Sequence, residues 1–159
     1  MRHDDDDEPD EQLVADLGRE KARETAAHIA YLRHLRQLHE RGFTQMRLAK
    51  IVGVSQPTIS DMLRRARIDG PDLREGTHGG TAYEIAARYA AGEIPRAAMM
   101  RELTGWEYER GAEPNPFEWV DDGNPAVEGS FTMQVGRALR DGFLTDEDYD
   151  ALLDALADR

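Results

Sequence analysis

Thr44-Gln45-Met46-Arg47-Leu48-Ala49-Lys50-Ile51-Val52-Gly53-Val54-Ser55-Gln56-Pro57-Thr58-Ile59-Ser60-Asp61-Met62-Leu63-Arg64-Arg65-Ala66 is the stretch that decides how this 159-residue chain folds. Leu48, Ala49 and Val52 recur at helical spacing and give residues 44–52 one apolar face. Thr44 supplies a capping hydroxyl at the start of that helix. Gly53 follows, where a sharp turn needs the left-handed backbone that glycine adopts most cheaply. Val54 reads as a buried turn residue and Ser55 as the cap of a second helix over 56–67. Pro57 suits that helix's first turn, where no amide proton is required. Ile59, Met62 and Leu63 point inward, and Ala49 is small where the second helix crosses the first.

Removing the inward residues leaves Gln56, Thr58, Ser60, Asp61, Arg64 and Arg65 on the outer face of the second helix. That face is polar at its start and basic at its end, as a helix lying in the major groove of double-stranded DNA requires. Glutamine can pair bidentately with adenine, aspartate can accept from a cytosine amine, and threonine offers both a methyl and a hydroxyl. Arginines further along reach phosphates, and Ser55 at the start of the helix offers a DNA-facing hydroxyl besides its cap.

The net charge of −12 argues at first against such a partner. From Arg19 to Arg67, however, eleven Lys or Arg stand against four acids, a surplus of seven positive charges. The rest of the chain therefore carries a net −19. Attraction to phosphate decays over a Debye length of roughly 8 Å at physiological salt, so a local basic face acts independently of distant acids.

The segment Thr44-Gln45-x-x-Leu48-Ala49-x-x-x-Gly53-Val54-Ser55-x-x-Thr58-Ile59-Ser60 resembles the helix-turn-helix of phage repressor and Cro-like regulators, the Xre-type group. The resemblance covers about 25 residues, or up to 45 with the preceding helix. It implies a DNA-binding transcriptional regulator whose second motif helix reads bases. By resemblance, those roles fall on Gln56, Thr58, Ser60 and Asp61, and Gln45 would bind a phosphate or orient a reading side chain. Pro57 departs from the family by removing one possible side-chain contact. A simpler three-helix version, like that of resolvases or sigma-factor tails, stays open because a glycine-rich segment begins soon after Arg67.

Outward from this centre, the chain reads as all-α. Residues 1–10, with five consecutive acids, form an expected disordered tail, either simply solvated or a DNA mimic that folds back on the basic block. Residues 11–68 make up the DNA-binding unit. Its first helix, 11–41, has an apolar stripe of Leu13, Leu17, Ile29, Leu32, Leu35 and Leu38. Gly18 splits or frays that helix and Gly42 ends it. Residues 69–80 have four glycines and a proline with little that could pack, which reads as a linker.

Residues 81–159 read as an acidic domain of helical hairpins. Thr81-x-x-Glu84 is a capping box for a helix ending at Gly92. Pro95 suits the first turn of the next helix, with Met99, Met100 and Leu103 inward and Gly105 as its stop. Residues 105–129 read as an irregular loop whose Trp106, Tyr108, Phe117 and Trp119 fold back on the helices. Ser130–Arg140 is helical. Thr145-x-x-Asp148 starts a last helix carrying Tyr149, Leu152, Leu153 and Leu156. Gly92, Ile94, Pro95, Met99 and Leu103 echo Gly142, Leu144, Thr145, Tyr149 and Leu153 at a spacing of fifty. Two pairs obeying one set of capping rules, or a duplication, would give this echo.

Other chemistries find little support. The chain has no cysteine, which excludes disulfides, thiolate metal sites and a cysteine nucleophile. His3, His28, His34, His39 and His78 include no pair three or four apart, so no helix face offers two metal ligands. Asp141 to Asp148 looks like half a calcium loop, but its first and third ligand positions would be Arg137 and Leu139, which cannot bind a hard cation. His78-Gly79-Gly80 follows no strand and lacks the lysine of a phosphate loop. No nucleophile elbow is present, so the expectation is a non-enzyme without cofactor or metal. Neither a signal peptide nor a membrane span is expected, and the location would be the cytoplasm.

The acidic half fits a basic protein partner through residues 81–159. One version is an antitoxin that represses its own operon and covers a toxin. The alternatives are a stand-alone repressor that forms a homodimer through its C-terminal half, and an acidic helical adaptor that never touches DNA.

Overall fold

The computed structural model describes residues 7–110 and 128–159, which contain helices and no strand. The expectations for residues 1–6, Phe117 and Trp119 lie outside the described residues. Asp7–Asp10, read as tail, are the first turn of a helix.

That helix, α1 (Asp7–Glu40), is unbroken over 34 residues, about 51 Å at 1.5 Å per residue. Gly18 does not split it. Side-chain pairs one turn apart brace its exposed start: Gln12 donates to Asp16 at 3.0 Å, Arg19 lies 3.7 Å from Asp16, and Arg23 lies 2.7 Å from Glu20. At about 0.2–0.5 kcal/mol each, three such pairs offset the roughly 1 kcal/mol that glycine costs inside a helix.

The expected apolar stripe is corrected at its start. Ala22, Ala26, Ile29, Leu32 and Leu35 are buried, whereas Leu13 and Leu17 are 64% and 71% exposed. At about 100° per residue, Leu13 and Leu17 lie on the side of α1 opposite Ala22 and Ala26 and cannot join their stripe.

α1 serves two cores. Its C-terminal turns bring Leu35 against Leu48 and Ala49 of α2 (Gln45–Val52) and Ile59 and Leu63 of α3 (Gln56–Asp69). Two to four turns earlier, Ala22, Ala26 and Ile29 pack into a larger core with α4 (Ala82–Ala90) and α5 (Arg96–Gly105). Val135 of a π-helical segment (Thr132–Gly136), Ala138 of α6 (Arg137–Arg140) and Leu152 of α7 (Asp146–Ala157) complete that core.

The segment 69–80 is packed down, not free as a linker would be. Arg33 Nε donates to the Pro71 carbonyl at 2.7 Å, Arg36 Nε donates to the Gly70 carbonyl at 3.1 Å, and Arg36 also pairs with Asp72. The Arg74 guanidinium stacks 3.8 Å from the Trp106 ring centre. Gly70, Gly79 and Gly80 provide close approach, while Gly76 turns the chain at φ 78°. A methyl on Gly80 would sit 2.4 Å from the Pro71 carbonyl oxygen. The chain carries glycine here because two backbone segments nearly touch, not because the segment must flex.

The expected capping box at Thr81 is only half formed. The Thr81 hydroxyl accepts from the Glu84 amide at 3.1 Å, but the Glu84 carboxylate turns inward. Fully buried, it accepts from Arg33 of α1, from the Gly80 amide at 2.7 Å and from Arg88 at 3.0 Å. A buried carboxylate is tolerated only when paired and fully hydrogen-bonded, and these donors meet that need. At Thr145 the box is complete: the Thr145 hydroxyl accepts from the Asp148 amide at 3.1 Å, and the Thr145 amide donates to the Asp148 carboxylate at 3.2 Å.

The fifty-residue echo is visible in the turns. Gly92 and Gly142 both have φ of 79°, and Ile94 and Leu144 behind them are both buried. The Glu93 amide donates to Arg88 and the Phe143 amide to Ala138, each at 2.9 Å. Further along the match lapses. Leu103 is buried, but Leu153 is 42% exposed and Leu152 takes the inner place. The helix expected over 130–140 includes the π-helical segment before α6, and Gly105, expected as a stop, is the last residue of α5.

Candidate nucleic-acid interface

α2, the Gly53 turn and α3 are built as their local chemistry dictates. The Thr44 hydroxyl accepts from the Arg47 amide at 3.1 Å and starts α2. Gly53 takes φ 81°, ψ 33°, and its amide donates to Ala49 at 2.8 Å. The Ser55 hydroxyl accepts from the Thr58 amide at 3.3 Å and starts α3, with Pro57 in its first turn. Ile59, Leu63 and Ala66 are buried and fix the rotation of α3 about its axis, while Met62 is half-buried. Val54, expected to be buried, is 37% exposed, because the adjoining Gly53 turn directs it along the surface.

With that rotation fixed, Gln56, Thr58, Asp61, Arg64 and Arg65 are exposed and Ser60 is half-buried. Gln45, the first residue of α2, meets Gln56, the first residue of α3, through a hydrogen bond from Gln56 Nε2 to Gln45 Oε1. One glutamine thereby holds the other at the mouth of the turn. The Ser55 and Thr58 hydroxyls lie 2.8 Å apart, so one of them is engaged as a cap while the other keeps its outward lone pairs.

Asp61 lies 3.3 Å from Arg64, and both side chains are more than 70% exposed. Such surface pairs contribute about 0.5 kcal/mol or less, so an approaching anion can take the guanidinium from its partner. Arg65 lies on the other flank of α3. It is 3.1 Å from Asp69 and lines a cleft with His28, Tyr83 and Arg137. Of the eight candidate residues, Gln45, Ser55, Gln56 and Thr58 gather at the start of α3. Ser60, Asp61 and Arg64 follow along one side, and Arg65 stands apart from them. Among the described residues, no hydrogen bond joins Gln56, Thr58, Ser60 or Asp61 to residues 81–159.

A groove of about 310 Å³ runs beside this face, lined by Gln45, Ser60, Leu63 and Arg64 together with Arg36, His39, Glu40 and Arg67. Arg36, His39 and Arg67 were not among the eight candidates. Their signal was available in the spacing: Ser60, Arg64 and Arg67 lie one turn apart, as do Arg36, His39 and Glu40. Arg47 adds a further exposed cation, its guanidinium 4.0 Å from the Phe43 ring centre. Arg36 is committed elsewhere, hydrogen-bonded to Asp72 and Glu40. Burial works against its charge, but these two carboxylates outweigh it and raise its pKa.

The arrangement offers amide and hydroxyl groups beside the positive N-terminal end of a helix dipole, with guanidinium groups two and three turns further on. No acid stands in the first turn of α3 to cancel that dipole. Comparison of the chain with models of protein families, with curated proteins and with solved structures gave no match.

Proposed function

We propose that this chain is a sequence-specific transcriptional regulator, acting as a repressor, that reads double-stranded DNA with the exposed face of α3. The observation that carries the reading is the presentation of Gln56, Thr58 and Asp61 to solvent on a helix anchored by Ile59, Leu63 and Ala66, with Gln56 held by Gln45. The likeness of Thr44–Ser60 to Xre-type repressors supports the same assignment. In it, Gln45, Ser55, Gln56, Thr58, Ser60 and Asp61 serve the base edges and flanking phosphates, and Arg64 and Arg65 serve phosphates.

The test is selection of bound duplexes from a random pool, followed by a mobility-shift assay on DNA upstream of the chain's own gene. Enrichment of one motif supports the reading. Failure to retain any duplex at low salt, where phosphate contacts are strongest, would overturn it and favour an acidic adaptor.

In the finer version the acidic half covers a basic protein, as an antitoxin covers its toxin. Asp146, Glu147, Asp150 and Asp154 along α7 are all exposed and support a basic partner. Co-purification with the product of the neighbouring gene tests this. A stand-alone repressor would bind no such product and would need a palindromic operator with half-sites about one helical turn apart.

A further inference from the structure

The first four turns of α1 project beyond both cores and carry an apolar face that nothing in the described residues covers. Leu13, Val14 and Leu17 are 64%, 69% and 71% exposed. With Asp10 and Lys21 they occupy about 100° of arc on α1, away from the buried stripe of Ala22, Ala26 and Ile29.

The order of charges on the face identifies the helix that covers it. An acid, Asp10, precedes the apolar residues and a base, Lys21, follows them. Reversing the segment about a point between residues 15 and 16 sets position i beside position 31 − i. Asp10 then meets Lys21 at both ends, and Val14 meets Leu17 between them. A parallel copy would set Asp10 on Asp10 and Lys21 on Lys21, which repel. We propose that residues 10–21 of α1 pair antiparallel with the same segment of a second copy of this chain. The contact is self-complementary about a two-fold axis, as isologous dimers require. It covers about three turns per copy, less than the roughly 1,200 Å² of a standard interface, so the dimer is reversible and forms in the micromolar range. The pairing does not depend on DNA binding, and its failure leaves the DNA reading intact, since a monomer can still bind a half-site.

Sedimentation of the full chain tests the proposal. The mass should rise toward that of a dimer with concentration, and Leu13→Glu/Leu17→Glu should hold it at that of a monomer with an unchanged helical circular dichroism signal. A wild-type chain that stays monomeric up to about 100 μM, roughly a hundredfold above a micromolar constant, overturns the pairing. So does a double variant that still dimerises, because the interface then lies elsewhere. The orientation has its own readout in a chain without native cysteine. Full-length Val14→Cys and Leu17→Cys chains, oxidised as a mixture, should form a disulfide-linked heterodimer about tenfold faster than either alone forms a homodimer. Equal or faster linking of Val14→Cys with itself overturns the antiparallel register.

Discussion

Gln56 and Arg64 sit two turns apart on one helix, yet their chemistry assigns them different tasks. Gln56 has a planar amide held by Gln45, and orienting a planar group is what discrimination between base edges requires. Gln56→Ala should lower preference for the selected motif by about 1–3 kcal/mol and leave binding to random duplex nearly unchanged. Arg64 has an exposed guanidinium whose partner among the described residues is the exposed Asp61. Arg64→Ala should weaken all sequences alike and reduce the salt slope of binding by about 1. Fluorescence anisotropy across a salt series separates the two outcomes, and identical behaviour would mean that α3 is turned otherwise against the duplex. The polar identity of these residues was legible in the sequence, because Ile59 and Leu63 fixed which side of α3 faced inward. The rotamer pairing Gln45 with Gln56 was not, since the two are eleven positions apart and meet only once Gly53 has turned the chain.

At the scale of elements, the turns read most plainly and the long-range partners least. Gly53 adopts φ 81° with open space around it, so Gly53→Ala carries only the conformational cost of the left-handed region and no clash. Offset by the unfolded-chain entropy that alanine removes, the loss should be about 1 kcal/mol in chemical denaturation. The start of α7 gives a pH-dependent case. Burial works to raise the Asp148 carboxyl, but hydrogen bonds from Arg96 and from the Thr145 amide, with the Thr145 hydroxyl, outweigh it and hold the group below its ordinary value. Because folding lowers this pKa, the carboxylate adds stability above the unfolded value of about 3.9, and that stability is lost as pH falls through the folded value. Denaturation midpoints measured downward from pH 6 should decline over this window, and Asp148→Asn should flatten the decline.

The capping boxes at 81–84 and 145–148 look equivalent as strings, yet only the second closes. A capping glutamate and a buried ion-pair glutamate are the same letter, and Arg33, the residue that distinguishes them, lies 51 positions away. The segment 69–80 misleads for a related reason. Glycine that flexes and glycine that admits a neighbouring backbone leave the same mark, and the neighbour of Gly80, the Pro71 carbonyl, becomes visible only when the loop is closed.

For the molecule as a whole, the Arg33–Glu84–Arg88 cluster ties α1 to α4 at the point where the two cores meet. Glu84→Ala leaves Arg33 buried without its carboxylate and should cost about 3–5 kcal/mol, read as a loss in the urea midpoint of the entire chain. Tyr83 makes a second tie, from α4 to Asp141 beyond α6. Burial, then this hydrogen bond, raise its pKa and keep the phenol protonated as a donor. Since α1 contributes to both cores, unfolding should follow one transition by circular dichroism, and a fragment ending at residue 80 should be markedly less stable than the same segment in the full chain. Removing residues 81–159 bares Ala22, Ala26 and Ile29. Two separate thermal transitions would contradict this.

Helices shared in this way also constrain descent. Bodies strung like beads can be exchanged by recombination in the gap between them, and each arrives ready to fold. Here a cut between residues 68 and 81 would deliver a newcomer to a beam already shaped to α4. Only a donor bearing the same helical register could be grafted on, so this pairing of halves should be inherited together.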